Sequence, residues 1–247
     1  TSGDLPEATQ EYQKLLAIDP TNEDAATGAA YMAMLSGDYK AADGYLKAVI
    51  DASETPMPEL LMRRALIAQR AQDLTSAKSF ALESGIDAGK VLAAEISLVD
   101  GGVDTAIELF KQIKDPNYKE MVGQYLFLIE SDDVWLQSLA EAQAQWAIGE
   151  KEFAVEDAPA SIQRISHESY PQIEELRLIW ASRSLSLKKV EQAKMLLELP
   201  FEHLDDSQRW RVGATRAIII CIEDSSETCK LSFGALEESA PPEGYAD

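Results

Sequence analysis

Two histidines and two cysteines are the side chains in this sequence that are best suited to metal binding or nucleophilic catalysis. His167 and His203 lie 36 residues apart, and each has acidic neighbours. A metal site usually takes His or Cys ligands at short helical or turn spacing. No HExxH, CxxC, GxGxxG or GxxxxGK[ST] motif occurs in the sequence. We therefore expect a protein that is not an enzyme and that uses neither a metal site nor a cofactor.

The two cysteines are placed symmetrically about a predicted turn at Ser225. Cys221 falls near the end of one predicted helix and Cys229 near the start of the next. An antiparallel helix pair would bring their Cα atoms within the 4.4–6.8 Å or so that a disulfide requires. A disulfide would indicate a periplasmic or other extracytoplasmic location, because such bonds persist in oxidising compartments. The alternative is two buried thiols that act as small core residues, as in a cytoplasmic protein.

Acidic pairs occur at two predicted helix starts, before Val134 and before Ser207. We expect Asp132-Asp133 and Asp205-Asp206 to cap these helices, since a carboxylate at that position accepts backbone N–H groups. A calcium loop would need further oxygen ligands at alternate positions, and the sequence does not supply them.

The charge balance limits the class of partner. The 247-residue chain has 43 acidic and 22 basic residues, which gives a net charge of −21. Nucleic-acid binding requires clustered Lys and Arg, so it is disfavoured, and no apolar run reaches the roughly 18 residues of a membrane-spanning helix. The charge favours a basic protein or peptide as partner, although excess acid also simply keeps an exposed protein soluble.

Composition and spacing predict an all-α chain with internal repeats. Apolar residues recur at intervals of three and four, and strong helix formers dominate the sequence. Gly3 and Gly37, and likewise Ala8 and Ala42, are 34 residues apart, a period typical of stacked helical hairpins. Small residues also recur in pairs twelve residues apart across predicted turns, as expected where two helices cross closely. These pairs are Ala30 and Ala42, Ala65 and Ala77, Ala94 and Ala106, and Ala181 and Ala193.

The sequence resembles the tetratricopeptide repeat (TPR) family most specifically in residues 1–56, and also in 57–116 and 174–200. Gly37-Asp38-Tyr39 followed by Ala42 and Leu46 matches the second half of a repeat, and Ile18-Asp19-Pro20-Thr21-Asn22 matches a connector between repeats. The resemblance implies an α-solenoid of stacked antiparallel helical hairpins that forms a right-handed superhelix. Asn22 or Asp24 would cap the helix that follows the connector.

We divide the chain on this basis into five parts. Residues 1–22 form the second helix of a truncated first repeat, so we expect the chain to be a fragment of a longer one. Residues 23–116 form TPR-like repeats, 117–173 degenerate helical repeats, 174–238 C-terminal TPR-like hairpins, and 239–247 a flexible tail. In the last hairpin we expect helices at 206–223 and 226–238, with Phe233 at the aromatic position.

The repeat pattern in 117–173 allows two alignments. The preferred one pairs Gly149 with Ser161 as the small residues of a hairpin. The alternative pairs Ala142 with Ala154, which would place Pro159 inside a helix at a cost of about 3 kcal/mol.

The resemblance also implies a binding surface, since the first helices of successive TPR hairpins line an inner groove. The residues that carry over to this groove are Asp24, Thr27, Tyr31, Glu59, Met62, Leu66, Val91 and Glu95. This acidic and apolar lining suits a peptide with basic residues and apolar anchors, whereas Tyr31, Met62 and Leu66 could instead form core between repeats.

The sequence thus predicts a non-enzymatic protein–protein interaction scaffold. If the cysteine pair indicates an exported bacterial protein, the resemblance to the TPR family implies a cell-envelope assembly for secretion, pili or polysaccharide export. The alternative is a cytosolic chaperone-like or regulatory TPR adaptor with reduced cysteines.

Overall fold

The regular structure of this protein is helical throughout the residues that its computed structural model describes, namely 4–55, 57–166, 169–198, 201–223 and 228–232. The α-helices within these ranges are α1 (Asp4–Ile18), α2 (Glu23–Leu35), α3 (Tyr39–Ala52), α4 (Pro58–Arg70), α5 (Leu74–Ser84), α6 (Asp87–Val99), α7 (Val103–Lys111), α8 (Lys119–Ile129), α9 (Val134–Ile148), α10 (Lys151–Ile162), α11 (Ile173–Ser186), α12 (Val190–Glu198) and α13 (Asp206–Glu223), and a 3-10 turn (Pro116–Tyr118) precedes α8. The predicted all-α fold class is therefore confirmed.

Five helix pairs are joined by the same kind of turn: α2/α3, α4/α5, α6/α7, α9/α10 and α11/α12. Each turn contains one residue with positive φ, and these residues are Gly37, Gln72, Gly101, Gly149 and Lys188. The N–H of the following residue donates to the carbonyl five positions earlier, as from Asp38 to Ala33 at 2.9 Å and from Lys189 to Ser184 at 2.9 Å. This Schellman arrangement ends the first helix by satisfying its last carbonyls, and the chain then reverses into the second helix.

Side chains at the helix starts complete several of these connections. Asp38 accepts the backbone N–H of Ala41 and caps α3, and Asn22 caps α2 in the same way through Ala25. The predicted acidic caps are also present, because Asp133 accepts the N–H of Trp135 and Asp205 accepts the N–H of Gln208.

The small residues predicted at the crossings of the paired helices are all buried, and two of the four pairs each share an apolar cluster. All eight alanines of the four predicted pairs are buried, with at most 3% of the surface of any of them exposed. Ala30 and Ala42 belong to one apolar cluster together with Leu46 and Val49. Ala65 and Ala77 belong to a second cluster. Alanine at these positions allows the two backbones to approach closely, which stabilises the hairpin through dense packing.

The chain divides into two compact units. The first contains Thr1–Phe127 and Ala147–Gly149, and the second contains Leu128–Trp146 and Glu150–Asp247. In the first unit, Arg64 of α4 donates to Asp43 of α3 at 2.7 and 3.1 Å, and its guanidinium lies 4.0 Å from the ring centre of Phe80 on α5. In the second unit, the buried ring of Trp180 packs edge-on against Trp146 at 6.0 Å.

The preferred alignment of the 117–173 segment is wrong. Gly149 has a φ of 103° and lies in the turn before α10, while Pro159 lies inside α10. Ala142 and Ala154 are both buried, as the alternative alignment predicts. Pro159 falls in the last turn of α10, where it deprives the carbonyl of Val155 of a helical N–H donor. Burial of apolar side chains on α10 offsets the cost of that lost hydrogen bond.

The C-terminal hairpin is described in part. α13 covers the predicted range, and residues 228–232 are helical within the predicted second helix. Phe233 and the tail at 239–247 lie outside the described residues, and so does His167.

Candidate partner-binding face

The first helices of the first three hairpins lie side by side. α2 packs against α4, and α4 packs against α6. The three hairpins share one turn type. Their first helices can therefore be aligned by counting residues back from the left-handed residue of each turn. Tyr31, Leu66 and Glu95 are each six residues before that residue. Thr27, Met62 and Val91 are likewise aligned with one another, one helical turn earlier.

The structure places six of the eight predicted groove residues at the surface. Tyr31 is 55% exposed and Leu66 is 41% exposed, although both are large apolar side chains. Asp24 and Glu59 are exposed, and Thr27 and Met62 are half-buried. We call Asp24, Thr27, Tyr31, Glu59, Met62 and Leu66 the first-helix face.

The remaining two predicted groove residues, Val91 and Glu95, are buried, with 8% and 7% of their surfaces exposed. The hydroxyl of Tyr125, on α8, donates to the carboxyl of Glu95 at 3.1 Å. The ring of Tyr125 also stacks on Phe110 of α7 at 4.7 Å. Burial raises the pKa of Glu95 to about 7, although the hydrogen bond from Tyr125 acts to lower it. Glu95 is thus an internal group of the first unit.

The end of α9 covers a neighbouring part of the same helices. The side-chain amide of Gln69, on α4, donates to the carbonyl of Ala147 at 3.1 Å. Ile148 belongs to an apolar cluster with Ala65 of α4 and Ile96 of α6. Tyr31 of α2 and Leu66 of α4 therefore remain exposed, whereas helical segments of the chain itself cover the face at α6 and near the carboxyl-terminal end of α4.

Sequence reasoning missed Leu35, Gln69 and Tyr125. Leu35 is 54% exposed and follows Tyr31 by one helical turn, so the helical period alone could have identified it. Tyr125 lies 30 residues beyond Glu95, and no repeat signal relates the two. The hydrogen-bond partner of Gln69, Ala147, lies 78 residues away in sequence, so this contact depends on the tertiary fold.

The acidic residues of the first-helix face are available for charge pairing. Within the described part of the chain, neither Asp24 nor Glu59 takes part in an ion pair. Both are the thirteenth residue before the left-handed residue of their turns, so they occupy equivalent positions on α2 and α4. A cation that approached this end of the face would meet two carboxylates at equivalent positions.

The polar cluster around His203 holds a loop. The buried carboxylate of Glu174 accepts the backbone N–H groups of Glu202 and His203, both at 2.9 Å, and lies 3.2 Å from the His203 ring. Burial acts to raise the pKa of Glu174, but these hydrogen bonds outweigh it and hold the pKa below its usual value. The contacts attach the segment after α12 to the first turn of α11. Among the described residues, no group of three or more His, Cys, Asp or Glu side chains could hold a metal ion.

A disulfide joins Cys221 of α13 to Cys229 in the helical segment 228–232, with the two Cα atoms 4.7 Å apart. The bond fixes these two helical segments beside each other at the end of the described chain. None of the helices in the described ranges is both long and apolar enough to pass through a bilayer.

Comparison with known proteins finds similarity to solved structures. No protein-family model matches the chain, and no curated protein matches it. The chain is similar to the crystal structure of a tetratricopeptide repeat protein from Parabacteroides merdae ATCC 43184, with 14% sequence identity and a TM-score of 0.46 over 100% of this chain and 89% of that one.

Proposed function

We propose that this protein is a non-enzymatic protein–protein interaction scaffold that binds a protein or peptide partner on its first-helix face. The observation that carries the proposal is the exposure of Tyr31 and Leu66 at equivalent positions on two packed helices, with Asp24 and Glu59 two turns away. Stacked hairpins leave long helix surfaces free for a partner.

The chemistry of the face defines the partner class. Tyrosine combines a large apolar ring with a polar hydroxyl and is enriched at protein interfaces. Leu66 and the half-buried Met62 extend the apolar area. The two carboxylates attract basic groups and orient them during association. The partner segment would therefore carry apolar anchors and at least one Lys or Arg.

The proposed setting is a bacterial cell-envelope assembly, such as one for secretion, pili or polysaccharide export. The Cys221–Cys229 disulfide supports an extracytoplasmic location, since cytosolic reductants would reduce such a bond. A free-thiol assay on protein purified without reductant and then denatured should find no reactive thiol. Two reactive thiols would instead favour the cytosolic adaptor function.

Site-specific photo-crosslinking in the source cells tests the face directly. A photoreactive amino acid at position 31 or at position 66 should capture the same partner protein. The matched control is position 82, where Leu82 is 44% exposed but lies on the second helix α5. Equal capture of that partner from position 82 would show that the first-helix face is not the binding surface.

A charge-reversal pair tests the electrostatic part of the proposal. Asp24→Lys with Glu59→Lys should weaken capture of the crosslinked partner by about tenfold or more, because one charged contact is worth roughly 1 kcal/mol or more when partly desolvated. Glu83→Lys with Glu108→Lys makes the same change in net charge on the exposed surface of α5 and α7. An equal loss of partner capture with both pairs of substitutions would indicate a general charge effect. That result would contradict binding of the partner at the first-helix face.

A further inference from the structure

We infer that the segment bound by the first-helix face is an amphipathic α-helix with an apolar anchor and a basic residue about two turns from it. This inference rests on the proposed function and specifies the conformation of the partner. It is drawn from the way in which the chain covers the continuation of the same face.

The covered part of the face shows what kind of segment fits it. At α6, the position equivalent to Tyr31 and Leu66 is Glu95, and Tyr125 of the helix α8 covers it. Beside it, the carboxyl-terminal residues of the helix α9 place Ile148 against α4 and α6. The two described segments that cover α6 here are therefore both helical, and each contributes one large side chain.

The open part of the face differs from the covered part in its chemistry. Glu95 accepts a hydrogen bond from the hydroxyl of Tyr125, whereas the equivalent positions on α2 and α4 are the aromatic Tyr31 and the aliphatic Leu66. An apolar side chain without a buried polar group therefore suits the open part better than tyrosine does.

The acidic residues set the position of the basic group. Asp24 precedes Tyr31 by seven residues, which corresponds to about 10 Å along a helix axis. A bound helix that lies along α2 and α4 would place a Lys or Arg beside Asp24 and Glu59 if that basic residue is two helical turns from the apolar anchor. In an extended segment, about three residues span the same distance.

A peptide with the α8 sequence is a direct probe of this inference. We would label residues 119–129 with fluorescein, replace Tyr125 by Leu, and add two lysines at each end so that either direction of seating brings a cation to the carboxylates. Two forms would be compared, Gly123→Ala and Gly123→Pro. Gly123 suits the comparison because no neighbouring atom lies within 4 Å of a side chain added there.

The two peptides separate helical from extended binding. Alanine favours a helix and proline breaks it, so fluorescence anisotropy should show at least about tenfold tighter binding of the alanine form to the full chain. Hydrogen exchange should show protection on α2 and α4. Tyr31→Ala, or the Asp24→Lys and Glu59→Lys pair, should weaken binding about tenfold, whereas the control Leu82→Ala should not.

Two results would overturn the inference, and they differ in what they imply for the proposed function. Equal affinity of the two peptides, still weakened by Tyr31→Ala, would mean that the face binds extended segments. Affinity that is undetectable, or unchanged by the variants on the face, would also reject a helical ligand there. In that case the crosslinking from positions 31 and 66 decides independently whether the face binds a partner.

Discussion

At the scale of single residues, two of the five left-handed turn positions carry side chains where glycine would be favoured. Gln72 and Lys188 have φ values of 61° and 60°. A residue with a Cβ atom is strained in this conformation by about 1–2 kcal/mol, and substitution by glycine relieves that strain. Part of the resulting gain in stability is offset, because glycine has a larger conformational entropy in the unfolded state. Gln72→Gly and Lys188→Gly should each raise the free energy of unfolding by about 0.5–1 kcal/mol in urea titrations followed by circular dichroism.

The control for these substitutions is a glycine at an ordinary helical position. Glu108→Gly, on the exposed surface of α7, should lower the free energy of unfolding by about 0.5–1 kcal/mol, because glycine is a poor helix former. A loss of stability with Gln72→Gly as well would contradict the assignment of strain to the turn.

The buried carboxyl of Glu95 predicts a specific pH dependence of stability. Its pKa rises from a usual value of 4.5 to about 7 in the folded protein, so above pH 4.5 the unfolded state loses this proton first. The contribution of this group is fully present below about pH 4.5, is lost as pH rises to about 7, and then levels off. The total loss is about 3 kcal/mol.

Glu95→Gln should remove this component, because glutamine does not ionise. The free energy of unfolding decreases between pH 4.5 and pH 8, and we expect this decrease to be about 3 kcal/mol smaller in the variant than in the wild type. Urea titrations at the two pH values measure the difference, and Glu59→Gln, at an exposed position, serves as the control. An identical pH dependence in wild type and Glu95→Gln would show that Glu95 ionises normally.

At the scale of secondary-structure elements, the disulfide should stabilise the last described helical segment. It closes a short loop, with a sequence separation of 8 between Cys221 and Cys229. Restricting the unfolded chain in this way is worth roughly 2–3 kcal/mol. The double variant Cys221→Ala, Cys229→Ala should therefore lose about that amount in urea titrations, and amide exchange in residues 228–232 should increase.

Reduction provides the matching control for the disulfide prediction. A thiol reductant should reproduce the loss in the wild type and should leave the double alanine variant unchanged. A wild type that is equally stable with and without reductant would mean that α13 and the 228–232 segment hold together without the bond.

The sequence predicts the hairpins well where turn and packing signals lie close together. Gly37 and Gly101 mark two turns directly, and the alanine spacing locates the turns at Gln72 and Lys188 although glycine is missing there. The signal fails at α10, where Pro159 suggests a helix boundary. Proline is tolerated there because the cost of its missing hydrogen bond is offset by packing, and local sequence does not reveal that packing.

At the scale of the whole molecule, the large negative charge affects the stability of the fold. A net charge of −21 destabilises the folded chain through self-repulsion. Raising sodium chloride from about 0.01 M to about 0.15 M shortens the screening length from about 30 Å to about 8 Å. We expect the melting temperature to rise by roughly 2–4 °C, the shift that corresponds to about 1 kcal/mol at this size.

The attractive ion pairs should not cancel this salt effect. Several of them join exposed side chains, such as Lys14 with Glu11, and exposed pairs contribute little to stability. Calorimetry at both salt concentrations measures the shift in melting temperature. A lower melting temperature at high salt would mean that the ion pairs outweigh the overall repulsion.

The candidate binding face is predictable from the sequence only in part. The repeat register identifies Tyr31 and Leu66 because it depends on turns close to each residue. The burial of Glu95 depends instead on Tyr125, 30 residues away and outside the regular repeats. Contacts of this kind follow from how irregular helices pack, and no periodic pattern encodes them.

The shared turn has a consequence for how such a protein can change through evolution. Each turn closes with a hydrogen bond between residues five positions apart, so the residues of a short stretch of chain determine its geometry. A gene segment that encodes one hairpin therefore also encodes its turn when the segment is duplicated, lost or moved. Lineages can therefore lengthen or shorten the array one hairpin at a time, and selection then has to adjust only the surfaces where old and new neighbours touch.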